Sequence, residues 1–385
     1  MLIHAALPKM GARQTSAWLK EGGGADGKTL GVRSPLVWAG WGSPRRDRRN
    51  TVRAILAVDG GGTKTDAALI DERGHVVFHA RGEGVNPFDQ PDWSAVLEVL
   101  LARVPRPYGA AGLGLPGYGE APEVTARQDE AARGLAVPLT LVNDVEAAHV
   151  GAFAGGAGTL ILAGTGSMVW AADGAGGHTR AGGWGDVLGD EGSAHWIGLR
   201  ALNRLTRSLD GRLAFGGLEQ AVLEAVRGEW PSSPDLTPSA AVLTWLGRLG
   251  HPRSGIAALA RVVDAAAERG EPEARQLLAS AAGELAQAAR AAQRRLPSAG
   301  PRWSVAGGVT RSRIVRDHLK GELGAAHFRE VRLPPLGGAA LLGARRAGWT
   351  LTPEWVQTLA TELAHLPGGT PQGTRGEPCP TTSAP

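Results

Sequence analysis

Apolar residues come in short blocks early in the globular region and at three-to-four-residue spacing later, so strands open the pattern and helices close it. Residues 53–59, 64–71 and 75–81 read as a three-stranded meander, turning first through Gly60-Gly61-Gly62 and then through Asp71-Glu72-Arg73-Gly74. A helix is predicted near 93–104. Short buried strands at 111–115 and 139–142 flank a helix around 122–134, a βαβ alternation that implies parallel pairing. Residues 145–154 read as helical and run into Gly155-Gly156-Ala157-Gly158, where a hinge is expected.

The scheme then restarts with a strand at 159–163, a turn at 164–166, a strand at 167–172 and a turn at Asp173-Gly174. A helix follows over about 193–208, and the Ala/Leu-rich stretch 254–296 fits two more. In its last part Leu277, Leu278, Ala281, Leu285, Ala288, Ala289 and Ala292 recur three or four apart, giving one apolar face for core packing. A late strand at 303–306 ends in Gly307-Gly308, and 336–346 is a Gly/Ala-rich helix. From Pro367 the chain is rich in Pro, Gly and Thr and reads as disordered.

Two passages share one design: an apolar strand entering a Gly/Thr turn, once at 55–65 and again at 160–167. Such turns bring bare N–H groups and a hydroxyl close to an anion, because no side-chain bulk keeps phosphate oxygens away. One loop is weak evidence. Two, each followed by another apolar strand, suggest similar halves gripping one polyphosphate.

Composition narrows the classes. A chain of 385 residues, 43% hydrophobic, can build two buried cores. No apolar run approaches the roughly 20 residues that span a bilayer. Cys379, in the tail, is the single cysteine, which excludes an internal disulfide framework, a Cys-based zinc site and an iron–sulfur cluster held by this subunit's own thiolates. A reducing cytoplasm is the expected setting. The net charge of +4 is uneven: residues 1–50 hold 9 Lys/Arg against 3 Asp/Glu, a balance of +6, so the remainder carries −2. The cluster Arg45, Arg46, Arg48 and Arg49 reads as a solvated or untranslated leader, the alternative being contact with RNA or an acidic surface. It lacks the apolar stretch and small-residue cleavage site of a secretory signal.

Val58-Asp59-Gly60-Gly61-Gly62-Thr63-Lys64-Thr65, Gly84-Val85-Asn86-Pro87, Asn143-Asp144, Ala163-Gly164-Thr165-Gly166-Ser167 and the segment 182–194, GGWGDVLGDEGSA, occur in that order. Together they resemble the N-acetylglucosamine kinases of the BadF/BadG/BcrA/BcrD ATPase family, over about residues 53–348. The resemblance implies an α/β fold of the actin/hexokinase-like superfamily: two ribonuclease H-like domains with a cleft between them, closing over ATP and a sugar. The organisation expected is a disordered basic leader (1–50), an N-terminal domain (51–157), and a C-terminal domain with a helical insertion (158–336). C-terminal helices (337–366), whose return to the N-terminal domain is left open, and a disordered tail (367–385) follow.

The resemblance also implies roles. Asp59 would hold Mg²⁺ through its waters, since that ion favours a carboxylate or two plus phosphate oxygens; the alternative is an Asp that caps the turn. Gly60, Gly61, Gly62 and Thr63 would cradle the β/γ-phosphates, with Gly164, Thr165 and Gly166 opposite. Lys64 either adds charge there or points outward. Gly307 and Gly308 match the adenosine-side glycine pair. Asp144, at a strand's carboxyl end, would take the proton of the attacking sugar hydroxyl, a position that also suits an N-cap. Asn86 and Asp190 would hydrogen-bond sugar hydroxyls, and Ser167, Gly183 and Trp184 would line the pocket, Trp184 being alternatively a core aromatic. Met168 departs from the polar residue many relatives carry, which bears on which sugar fits.

The implied activity is transfer of phosphate from ATP to an amino sugar, foremost N-acetylglucosamine at its 6-hydroxyl, with glucosamine, N-acetylmuramic acid and glucose as alternatives. Partners are ATP and the sugar, not nucleic acid or membrane, with a homodimer left open. An activator ATPase bridging a [4Fe–4S] cluster is disfavoured by the single cysteine. A sensor that has lost turnover is disfavoured by the presence of both Asp59 and Asp144.

Overall fold

The computed structural model describes residues 54–228 and 236–367. The basic leader, the tail beyond 367 and Cys379 lie outside the described residues.

Two sheets organise the chain. The first runs β3-β2-β1-β4-β5, from β1 (Ala54–Gly60), β2 (Lys64–Asp71), β3 (Val76–Glu83), β4 (Ala111–Leu115) and β5 (Leu139–Asn143). The β1–β2 and β2–β3 pairs are antiparallel, while β1–β4 and β4–β5 are parallel. The second runs β8-β7-β6-β9, from β6 (Gly158–Ala163), β7 (Ser167–Ala172), β8 (His178–Gly182) and β9 (Trp303–Ala306). It repeats the antiparallel meander and the parallel fourth strand. A single parallel bridge from Trp303 to Phe328 follows β9, where the first sheet has its fifth strand.

The apolar run of β1 buries both faces of its sheet, as expected of a strand covered on each side. Leu56 and Val58 join Trp93, Leu97 and Leu100 of α1 (Trp93–Ala102). Ile55 and Ala57 face Leu336 and Ala340 of α12 (Pro335–Arg346) and Leu359 of α13 (Pro353–Ala364). The C-terminal helices thus return to the first sheet. Helix α2 (Pro122–Arg133) makes the β4–β5 crossover.

Helix α3 (Asp144–Ala152) joins the lobes. Its Ala148 and Ala152, with Phe153, pack on Leu160 of β6, and a ring nitrogen of His149 bonds the Gly158 carbonyl at 2.9 Å. Its other side lies against α12 so tightly that a Cβ on Gly338 would sit 1.8 Å from the Ala147 carbonyl oxygen.

The second lobe carries α4 (Gly185–Leu188), α5 (Ala194–Leu209), α6 (Gly217–Gly228), α7 (Pro238–Arg248), α8 (Pro252–Ala258), α9 (Ala260–Glu268), α10 (Pro272–Arg295) and α11 (Arg313–Leu323). The stretch expected to hold two helices holds three, but α8 and α9 meet at Leu259, whose backbone is itself helical, so they form nearly one rod. Gly270, at φ +103°, and Pro272 then end that rod and start α10. The predicted stripe of α10 is buried except for Ala288, which is partly buried. β8, α4, α6, α7 and α11 were not foreseen.

Candidate active site

Each sheet ends its first strand in a Gly/Thr turn, and each turn is clamped from behind. In the first lobe, Val85 N–H donates to the Gly61 carbonyl at 2.9 Å. A Cβ on Gly84 would lie 2.1 Å from the Gly62 carbonyl oxygen, so only glycine lets the 84–92 loop press this close. Among the described residues no protein acceptor faces the N–H groups of Gly61, Gly62 or Thr63. Asn86, in the pressed loop, donates to Asp89 at 2.5 Å and accepts from Phe88 N–H, so it stands beside the turn with its amide already oriented.

The second turn is held by the loop before α5. Ala194 and His195 N–H groups donate to the Gly164 and Thr165 carbonyls at 2.8 and 3.2 Å. Ser167 N–H donates to Asp190 Oδ1 at 3.1 Å and its hydroxyl to the Glu191 carbonyl at 2.7 Å. Again no protein acceptor, among the described residues, faces the N–H groups of Thr165 and Gly166. Gly307, at φ +99°, abuts this turn, since a Cβ there would be 2.4 Å from the Ala163 carbonyl oxygen; Gly308 has open space.

Asp59, the last residue but one of β1, lies opposite Asp66. Burial, then the charges of Asp144 and Asp66, push its carboxyl up to about 7, with Lys64 opposing. Asp144 stands at the start of α3, at the end of β5, two strands along from β1. Burial pushes it up to about 6, helped by Glu120 and opposed by the Val145 N–H. The helix cap is not Asp144 but Asn143, whose side chain accepts from Val145 N–H at 3.0 Å; Asp144 is the first helical residue. Lys64 is half exposed, 3.7 Å from Asp66, which also binds His79 and Arg81 at 2.8 Å each. Asp66 is thereby held below the usual carboxylate range, although burial alone would raise it.

Asp190 is 3% exposed, and the structure assigns its two oxygens to protein partners, Ser167 N–H and Arg253. Gly183 backs onto Met168, whose Cε would be 2.2 Å from a Cβ there. Trp184 is no core aromatic: it is 64% exposed, with the Arg180 guanidinium 5.5 Å from its ring centre. Sequence reasoning missed Glu120, Arg180 and Arg253. Glu120 accepts from Asn143 at 3.3 Å and pairs with Arg180 of β8 at 3.5 Å, tying the two lobes beside Asp144.

The residues fit a magnesium–nucleotide complex rather than an all-protein metal cage: Asp59 offers one carboxylate beside bare N–H donors. No group of three or more His, Cys, Asp or Glu among the described residues is arranged to hold an ion. A concavity of about 390 Å³ between α6 and α9 shares no residue with either turn. No helix among the described residues is long and apolar enough to cross a membrane.

Two sheets of one topology, each opening its first strand into a bare-amide turn and joined through α3, define an α/β phosphotransferase of the actin/hexokinase-like class. The family model described as "BadF/BadG/BcrA/BcrD ATPase family" matches residues 56–343, and the chain belongs to that family. An N-acetylmuramic acid/N-acetylglucosamine kinase of Clostridium acetobutylicum is 27% identical over 244 residues, 61% of this chain and 77% of that protein. A crystal structure from Chromobacterium violaceum, provisionally described as an N-acetylglucosamine kinase, superposes with TM-score 0.61 at 30% identity, covering 76% of this chain and 99% of that one. A Porphyromonas gingivalis structure with the same provisional description gives TM-score 0.54 at 20% identity, over 80% of this chain and 99% of that one, a likeness of fold.

Proposed function

We propose that this protein transfers the γ-phosphoryl group of ATP to the 6-hydroxyl of N-acetylglucosamine in the cytoplasm. The observation that carries the reading is Asp144: a partly buried carboxyl raised to about 6, at the head of α3 and within electrostatic reach of Asp59. A base with that affinity is ionised at neutral pH and still holds a proton well enough to take one from a hydroxyl.

The bare N–H groups of Gly61, Gly62 and Thr63 and of Thr165 and Gly166 hold the phosphates from the two lobes, and Gly307 and Gly308 border the adenosine side. Asp59 would hold a magnesium ion, which would neutralise charge developing on the phosphate oxygens. Asn86, Ser167, Gly183 and Trp184 line the sugar pocket, while Asp190 supports it from beneath Ser167. Asp144 accepts the proton as the sugar oxygen bonds to the γ-phosphorus. The bond from that phosphorus to the bridging oxygen breaks, and ADP leaves. Lobe closure keeps water from the γ-phosphate.

N-acetylmuramic acid is the second reading, favoured by the double substrate in the description of the Clostridium relative. A coupled assay of ADP release across N-acetylglucosamine, N-acetylmuramic acid, glucosamine and glucose tests both. The highest kcat/KM should fall to an N-acetylated sugar. Release at one rate with and without every sugar would refute kinase action, and gel filtration decides whether the active form is a dimer.

A further inference from the structure

The helices between α5 and β9 hold none of the residues assigned so far, yet one side chain from them reaches the second turn. Helix α8 approaches α5 closely: a Cβ on Gly198 would lie 2.0 Å from the Ile256 carbonyl oxygen, so a glycine is required at the crossing. This contact anchors Arg253, in the first turn of α8, against the loop before α5. Its Nη2 donates to Asp190 Oδ2 at 2.6 Å, and its Nε stands 3.7 Å from Asp186 Oδ1. That Nε is buried and forms no hydrogen bond.

Asp190 needs such a partner. It adopts φ +57°, unusual for a residue other than glycine, and its carboxylate is almost wholly enclosed. An enclosed carboxylate without a counter-charge is strongly unfavourable, and removing one member of a buried pair exposes that penalty. Oδ1 meanwhile receives the Ser167 N–H, the first amide after the turn. A Cβ on Gly166 would lie 2.6 Å from Arg253 Nη2 and 2.9 Å from each Asp190 oxygen, so the turn rests directly on the pair.

We propose that Arg253 is a positioning residue for the nucleotide: by holding Asp190 it fixes Ser167, and so sets the Thr165 and Gly166 N–H groups in place for the phosphates. This rests on the reading of the turn as a phosphate cradle. Lysine, a point charge without the planar fork, would replace it only in part.

The test compares Arg253→Met, Arg253→Lys and Asp190→Asn with wild type. Calorimetric binding of a non-hydrolysable ATP analogue should weaken at least about tenfold in Arg253→Met and less in Arg253→Lys, an equilibrium readout that does not need turnover. Relative to wild type, the sugar-dependent assay should show a matching pattern: KM for ATP rises in the variants by a larger factor than KM for the sugar, whose pocket Ser167 also borders. The double variant Arg253→Met with Asp190→Asn should lose no more than the worse single variant, because both act through one contact. Analogue affinity within twofold of wild type in a folded Arg253→Met protein would overturn the proposal, as would additive losses in the double variant. Wild type that releases no ADP with any sugar would refute the functional reading instead, leaving the binding comparison to judge Arg253.

Discussion

Arg180 of β8 and Glu120 in the loop after β4 meet at 3.5 Å across the two lobes, and Glu120 in turn accepts from Asn143, the cap of the helix that begins with Asp144. Nearby, burial raises the carboxyl of Glu146 of α3, an effect opposed in part by His178, two residues before Arg180 on the same strand. An edge strand of one lobe thus touches, through Glu120, the helix of the other that begins with Asp144.

Both members of the Arg180–Glu120 pair are about one-third exposed, so water screens much of their attraction. Arg180→Glu should therefore shift Tm by no more than about 2–4 °C. Its effect should be on turnover, a fall of about two- to fivefold, recovered when Glu120→Arg is added. Failure of the reversed pair to recover activity would show that the contact does not couple the lobes.

Asp144→Asn keeps the size and shape of the side chain and removes the base. Turnover should fall at least about a hundredfold, while calorimetric affinities for the ATP analogue and sugar stay within about threefold. Near-normal turnover would take Asp144 out of the reaction.

The same carboxyl sets a pH limit. As the proposed base Asp144 acts when ionised, so with its carboxyl pushed up by burial to about 6 the rate should fall about tenfold per unit below that pH and level off above it. Asp59, pushed up to about 7 partly by Asp144, titrates with it, so the acid limb belongs to the pair. A magnesium ion held by Asp59, as proposed, would favour its ionised form, so raising the ion concentration should move the limb to lower pH.

Stability has its own pH signature in His149, which burial drives down to about 4 against an ordinary 6.5. Between those values the unfolded chain binds a proton that the folded chain does not. Its contribution is complete above 6.5 and declines as pH falls to about 4, on the order of 3 kcal/mol in all. His149→Gln keeps a donor toward the Gly158 carbonyl and lacks the titration. Urea unfolding across pH 4–7 should give a flatter profile in the variant than in wild type; parallel profiles would assign the acid sensitivity elsewhere.

Most strands were legible in the sequence: β2, β4, β7 and β9 match their predicted bounds because a short apolar block between turn residues has little else to be. β8, with His178, Thr179 and Arg180, is an edge strand whose polar side chains serve the lobe contact, so it carries no hydrophobic period. The turns were legible because their chemistry is local. Arg253 was not, because its partner lies 63 residues away and neither residue's neighbours hint at the other. Asn143 and Asp144 are both good caps, and only the observed backbone decides that Asn143 takes the cap position while Asp144, the first helical residue, also accepts from Val145 N–H at 2.8 Å.

The packing behind Asp144 is equally exacting. Helix α3 is backed by α12 at Gly338, where a Cβ would meet the Ala147 carbonyl oxygen at 1.8 Å, and α12 is backed by β4 at Gly112, where a Cβ would meet the Ala339 carbonyl oxygen at 2.0 Å. These are backbone contacts, which no rotamer change relieves. Gly338→Ala must push α3 away from α12, and Gly112→Ala must lift α12 from the sheet. Each should lower stability by about 1–3 kcal/mol or more, measured by urea unfolding. Gly338→Ala should also lower turnover at temperatures where the protein stays folded, because the displaced helix carries Asp144, the proposed base, whereas Gly308→Ala, with open space around it, should leave stability within about 0.5 kcal/mol. Equal stability of all three variants would mean that α3 is not pinned at the distance this packing implies.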